Sequence, residues 1–81
     1  MSSRDPQKAL GNAIAALRRR AELTQDELAA HAEVEPSLVA GIEAGEADPT
    51  WGDARRIAAA LGTSVDRLAA LVEELEAGGG R

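Results

Sequence analysis

Side chains able to carry chemistry are few in this sequence and narrow in kind. Its 81 residues include no cysteine and one histidine, His31. Thiolate nucleophiles, disulfides and cysteine-containing metal sites are therefore excluded, and a single imidazole falls short of the ligands zinc needs. Carboxylates occur as the neighbouring pairs Asp26 with Glu27 and Glu73 with Glu74. Adjacent residues of a helix point in different directions, so neither pair makes a general acid–base couple. With no nucleophile beside a base, no metal cluster and no glycine-rich phosphate loop, the sequence reads as a non-enzyme without cofactor or metal. What remains is recognition chemistry. The hydroxyls and amide of Thr24, Ser37 and Gln25 can hydrogen-bond, and Arg18, Arg19, Arg20, Arg55 and Arg56 can meet anions.

Helices must position these groups. Apolar residues make up 44% of the chain, but half of them are alanine and there is no Phe or Tyr, so the core is thin. Alanine-rich stretches with almost no β-branched runs favour helix throughout. Asp5 with Pro6 opens a first helix whose apolar face is Leu10, Ile14, Leu17 and Ala21. Thr24 with Glu27 forms a capping box for a short second helix. Pro36 fits the first turn of a third helix, which ends at Gly45. Thr50 with Asp53 caps a fourth, stopped by Gly62. Ser64 caps a fifth, with Val65, Leu68, Leu71, Val72 and Leu75 on its apolar face. The expected organisation is an N-terminal segment, 1–9, leading into helix 1, one domain over 10–76, and a flexible glycine-rich tail, 77–81. There is no apolar opening of signal-peptide length and no run of 18 uncharged apolar residues, so neither export by that route nor a membrane partner is expected. Without cysteine, a reducing cytoplasm fits best.

Two short helices joined by a tight turn, held by a first helix and followed by two more, is the layout of a helix-turn-helix. Four strings sharpen this: Leu10 to Arg18 (LGNAIAALR), Leu23 to Ala29 (LTQDELA), Val39 to Gly45 (VAGIEAG), and Ile57 to Ser64 (IAAALGTS) after Pro49. Taken together they resemble the Xre/Cro/C1-type helix-turn-helix proteins, which include the lambdoid phage repressors, over about residues 10–71. The resemblance implies an all-α, lambda-repressor-like five-helix bundle with helices 2 and 3 as the helix-turn-helix. It also implies a sequence-specific DNA-binding transcriptional regulator whose third helix enters the major groove of double-stranded DNA. Carried over by position, the DNA-binding set is Thr24, Gln25, Pro36, Ser37, Leu38, Ala40 and Gly41. Gln25, opening the second helix, would reach phosphate or base edges. Arg18 and Glu43 correspond to an internal ion pair between the first and third helices.

The charge map departs from this pattern. The net charge is −5, yet residues 24–50 hold Asp26, Glu27, Glu33, Glu35, Glu43, Glu46 and Asp48 with no Lys or Arg, a local −7. Phosphate neutralisation supplies most non-specific DNA affinity, so that affinity is expected to be weak. Glycine and alanine on the third helix cannot make the bidentate base contacts of Arg or Gln. Glu33 stands where the family prefers glycine for a left-handed turn, and Glu35 is a poor N-cap. The alternative function is a protein-interaction module whose acidic third-helix surface docks a basic partner or mimics DNA. Gly41 inside a helix is unfavourable against alanine, which suggests a close approach there. Trp51, the sole aromatic, is expected as a core or core-edge anchor rather than a stacking platform. Leu68, Leu71, Val72 and Leu75 extend one turn beyond a minimal domain and offer a possible homodimer face.

Overall fold

The computed structural model describes residues 6–78. Asp5, expected to cap the first helix, and residues 79–81 of the expected tail lie outside them. Five helices follow in order: α1 (Pro6–Arg20), α2 (Gln25–Ala32), α3 (Pro36–Glu43), α4 (Trp51–Ala60) and α5 (Val65–Gly78). There is no strand among the described residues. The helical chain runs past the 10–76 limits at both ends, because Pro6 and Gln7 already belong to α1 and Ala77 to α5.

Each internal helix start has a local cause. The Thr24 hydroxyl accepts from the Glu27 amide at 3.0 Å and the Glu27 carboxylate accepts from the Thr24 amide at 2.8 Å, the reciprocal bonds of a capping box. The Thr50 hydroxyl accepts from the Asp53 amide, and the Ser64 hydroxyl from the Arg67 amide. Glu35 is the exception. It occupies the N-cap of α3 with no side-chain capping bond, and Pro36 starts the helix by its fixed φ.

The first four helices end alike. A residue in the left-handed region donates back to a carbonyl three residues earlier, and the next residue donates to one five earlier, as in a Schellman motif. Gly45 and Gly62 fill that position after α3 and α4, at φ 76° and 75°. Glutamates fill it after α1 and α2: Glu22 at φ 62° and Glu33 at φ 60°. A side chain there costs roughly 1 to 2 kcal/mol, partly offset because glycine loses more entropy on folding. Glu33→Gly is therefore expected to raise stability by about 0.5 to 1 kcal/mol in urea unfolding. A lower unfolding midpoint would show that the Glu33 side chain stabilises the turn.

The core lies where α1, α2, α3, α4 and α5 converge on Ile14, Leu28, Val39, Ile42, Ile57 and Leu68, with Ala13, Ala29 and Ala32 filling between them. α1 packs on α3 and α5, α2 on α3 and α4, and α4 on α5. Small residues let helices approach closely. A Cβ placed on Gly11 of α1 would stand 2.3 Å from the Ile42 carbonyl oxygen, so α1 can lie against the end of α3 only with glycine there.

Two expectations about apolar residues are corrected by this packing. Leu68, grouped in sequence with a dimer face, is 3% exposed and belongs to the core, because α5 turns that residue onto α1 and α4. Trp51 is 67% exposed rather than an anchor. The inward stripe of α4 is Ala54, Ile57, Ala58 and Leu61. At 3.6 residues per turn Trp51 lies about 70° off its centre, on the outer line of Arg55 and Ala59.

Candidate functional site

The N-terminus of α2 and the end of α3 come together through a cluster of three side chains. Arg18, in the last turn of α1, donates from Nε to Oε2 of Glu43 at 2.6 Å and from Nη2 to Oε1 at 2.9 Å. This is a fork-to-fork pair. Its Nη1 donates to the Leu23 carbonyl oxygen at 2.8 Å, tying down the chain that leads into α2. Gln25 then donates from Nε2 to Oε1 of Glu43 at 2.9 Å. One carboxylate at the end of α3 thus joins α1, the α1–α2 connection and the first residue of α2.

The cluster is shielded, with side-chain exposures of 12% for Arg18 and 7% for Glu43. Desolvation pushes the Glu43 carboxyl up, but the hydrogen bonds from Arg18 and Gln25, with the charges of Arg18 and Arg19, outweigh it and hold the carboxyl below its ordinary range. The hydrogen bond to Glu43 raises Arg18 in turn, against a smaller desolvation effect. Of the seven carboxylates between residues 24 and 50, Glu43 is therefore compensated internally and is not presented outward as bare charge.

The other residues singled out from sequence divide by position. Thr24, Pro36, Ser37 and Ala40 are exposed, and Leu38 is half-buried against the core. Thr24 uses its oxygen for capping, which leaves the hydroxyl hydrogen as a donor. Gln25 is half-buried and is oriented by Glu43, a link that sequence did not suggest. Gly41 is set apart from this group. A Cβ there would stand 3.0 Å from the Cβ of Ala47, and the Gly41 carbonyl accepts from the Glu46 and Ala47 amides. The close approach at Gly41 is thus the protein's own returning loop. Sequence reading also missed Gly11, whose only signal was a glycine inside the LGNAIAALR string.

Cations surround the α2–α3 face rather than line it. Arg19 and Arg20 are exposed at the end of α1, Arg55 is exposed on α4, and Arg56 pairs with Asp53 at 2.5 Å. His31 is exposed at the end of α2, beside Glu33 and Arg56. No helix among the described residues is long and apolar enough to cross a membrane.

Chemically, this arrangement can present a short, uncharged ridge made by Ser37 and Ala40 on α3, together with the Thr24 hydroxyl and the Gln25 amide at the start of α2. Comparison with known proteins places the arrangement. A family model described as a helix-turn-helix domain matches residues 9–71. The structure is similar to the crystal structure of the clp gene regulator ClgR from Corynebacterium glutamicum, with a TM-score of 0.86 and 25% identity over 93% of this chain and 80% of that one. No curated protein matches the sequence.

Proposed function

The chain belongs to the helix-turn-helix domain family, and on that premise we propose that it is a sequence-specific DNA-binding transcriptional regulator of the Xre type, with α3 in the major groove. The observation that carries this reading is the Arg18–Glu43–Gln25 cluster, which ties the first residue of α2 to the end of α3 while Ser37 and Ala40 stay exposed on α3. A groove-reading helix needs such a fixed partner, because contacts at a helix N-terminus set the register in which bases are read. The similarity to ClgR, described as a gene regulator, supports the same role.

Direct readout by this surface is sparse. Ser37 offers a hydroxyl, Leu38 and Ala40 can touch a thymine methyl, and Gln25 reaches from the side. Phosphate contacts fall to Thr24, Arg19, Arg20 and the α2 N-terminus. Affinity for random duplex should therefore be low and fall only shallowly with salt, since few cations displace counterions. Two copies paired through α5 would place two α3 helices on successive turns of the duplex. With Leu68 in the core, Leu71, Val72 and Leu75 are the side chains left for that pairing, and Leu75 is 39% exposed. The absence of cysteine suits action in the cytoplasm.

The test is to select duplexes from a random pool and titrate the best by fluorescence anisotropy at low salt. Ser37→Ala is expected to weaken the selected site about fivefold while leaving random duplex unchanged, the loss of one hydrogen bond to a base. Gln25→Ala should weaken both duplexes with its thermal melt retained. Unchanged affinity in both variants would remove α3 and the α2 N-terminus as the DNA surface. A second reading, docking of a basic protein, is favoured by one observation: apart from Glu43, the acids of this segment have no cation near them on α2 or α3.

A further inference from the structure

Beside α3, between the helix-turn-helix turn and the loop that leads to α4, lies an open groove of about 760 Å³. Its floor is apolar. Val34, Leu38 and Ala47 are half-buried there and pack against the core. Its edges are carboxylates: Glu33 and Glu35 from the turn, both exposed, and Asp53 from the first turn of α4. No cation lines it. Asp53 is matched by Arg56, whereas the side chains of Glu33 and Glu35 make neither hydrogen bond nor ion pair. Two unmatched carboxylates two residues apart repel each other, and a cation set between them removes that repulsion.

We infer that this groove is a docking site for a basic segment of a protein partner. One arginine or lysine would lie with its aliphatic stem along Val34, Leu38 and Ala47 and its charged end between Glu33 and Glu35. Such a side chain is apolar along its length and cationic at its tip, the same division as floor and edge. A nucleic-acid backbone is the wrong occupant, because its phosphates would meet carboxylates alone. Ser37 also lines the groove, so the segment covers a residue assigned above to base reading. Bound segment and bound duplex then exclude each other, which makes the partner an antagonist of DNA binding. The docking stands on the groove itself, and only the antagonism rests on the DNA-binding reading.

The probe is a capped four-residue peptide of alternating arginine and leucine, titrated into the isotope-labelled chain while amide chemical shifts are followed. A peptide with glutamate in place of arginine is the control. Shifts are expected to concentrate on residues 33–35, 37, 38, 47 and 53, and the glutamate peptide should cause none. The double variant Glu33→Gln with Glu35→Gln, which keeps side-chain shape, should weaken the peptide about tenfold. The equally neutralising double variant Glu73→Gln with Glu74→Gln, on α5, should leave it unchanged. Equal weakening by both double variants, or no shifts at millimolar peptide, overturns the inference. Duplex anisotropy run in parallel separates the two proposals. Groove shifts without any duplex affinity keep the docking site and remove the regulator reading, whereas duplex affinity without groove shifts does the reverse.

Discussion

Gly11→Ala is expected to cost about 3 kcal/mol of stability, at or beyond the upper end of ordinary overpacking, although it adds a single methyl group to a helix and improves helix propensity. The new Cβ would stand 2.3 Å from the Ile42 carbonyl oxygen and 3.0 Å from that of Glu43. Both are backbone atoms at the end of α3, so no rotamer change relieves the clash and the two helices must separate. Separation opens the core around Ile14 and Ile42, both buried, and draws Arg18 away from Glu43. In a domain this small such a loss is a large share of total stability and lowers the melting temperature by about 12 °C or more. Gly52→Ala is the matched control. The nearest atoms to a Cβ there are Arg56 Nη1 at 3.6 Å and Thr50 Oγ1 at 4.0 Å, ordinary contact distances, so only the gain in helix propensity remains. Far-ultraviolet circular dichroism is the measurement, since Trp51 is too exposed for its fluorescence to report the core closely. A Gly11→Ala melt within about 2 °C of the parent would mean that α1 and α3 are not held at this distance.

What could be read from the sequence and what could not divide by the range of the interaction that decides each residue. Thr24 with Glu27, Thr50 and Ser64 cap helices through bonds that reach three residues, so their spacing is visible in a linear string. Gly45 and Gly62 end helices because the turn needs a positive φ there, which a glycine after an apolar run announces. Glu22 takes the same conformation with no such mark, since packing of α2 against its neighbours imposes the turn. The amphipathic face of α5 was visible, but not which of its leucines would be inside. Leu68 is inside because α5 packs on both α1 and α4 and turns that residue onto the core, whereas Leu75 is left exposed. Gly11 and Gly41 look alike as glycines within helices. Only the positions of α3 and of the 44–50 loop show that one admits a neighbouring backbone and the other a neighbouring methyl. At the candidate site, the family pattern pointed to Arg18 with Glu43 as an ion pair, which the structure contains, and to Gln25 as a separate contact residue. The structure joins Gln25 to the pair, a link hidden in the linear string because eighteen residues separate Gln25 from the carboxylate that orients it.

That joining makes Glu43→Gln the second large effect. Glutamine keeps the side chain's shape but leaves the shielded guanidinium of Arg18 without its counter-charge and replaces one of two acceptor oxygens with a donor. Breaking one side of such a pair costs about 3 kcal/mol, whereas removing both charges together can be nearly neutral. The double variant Arg18→Met with Glu43→Leu is accordingly expected to melt well above Glu43→Gln alone. Because it also removes the acceptor for Gln25, its duplex affinity should stay low even as stability returns, which separates the positioning of Gln25 from its contribution to folding. The pH dependence gives an independent check. A carboxyl held below its unfolded value contributes stability that is fully present above the unfolded pKa of about 4.3 and lost as pH falls through the folded value. In urea unfolding the parent chain should therefore lose stability as pH falls below about 4. In Glu43→Gln part of that loss is already present at neutral pH, so its decline over the same window should be shallower. Equal slopes in the two proteins would mean that the carboxylate at the end of α3 is not what ties α1 to the helix-turn-helix, and that the orientation of Gln25 has another source.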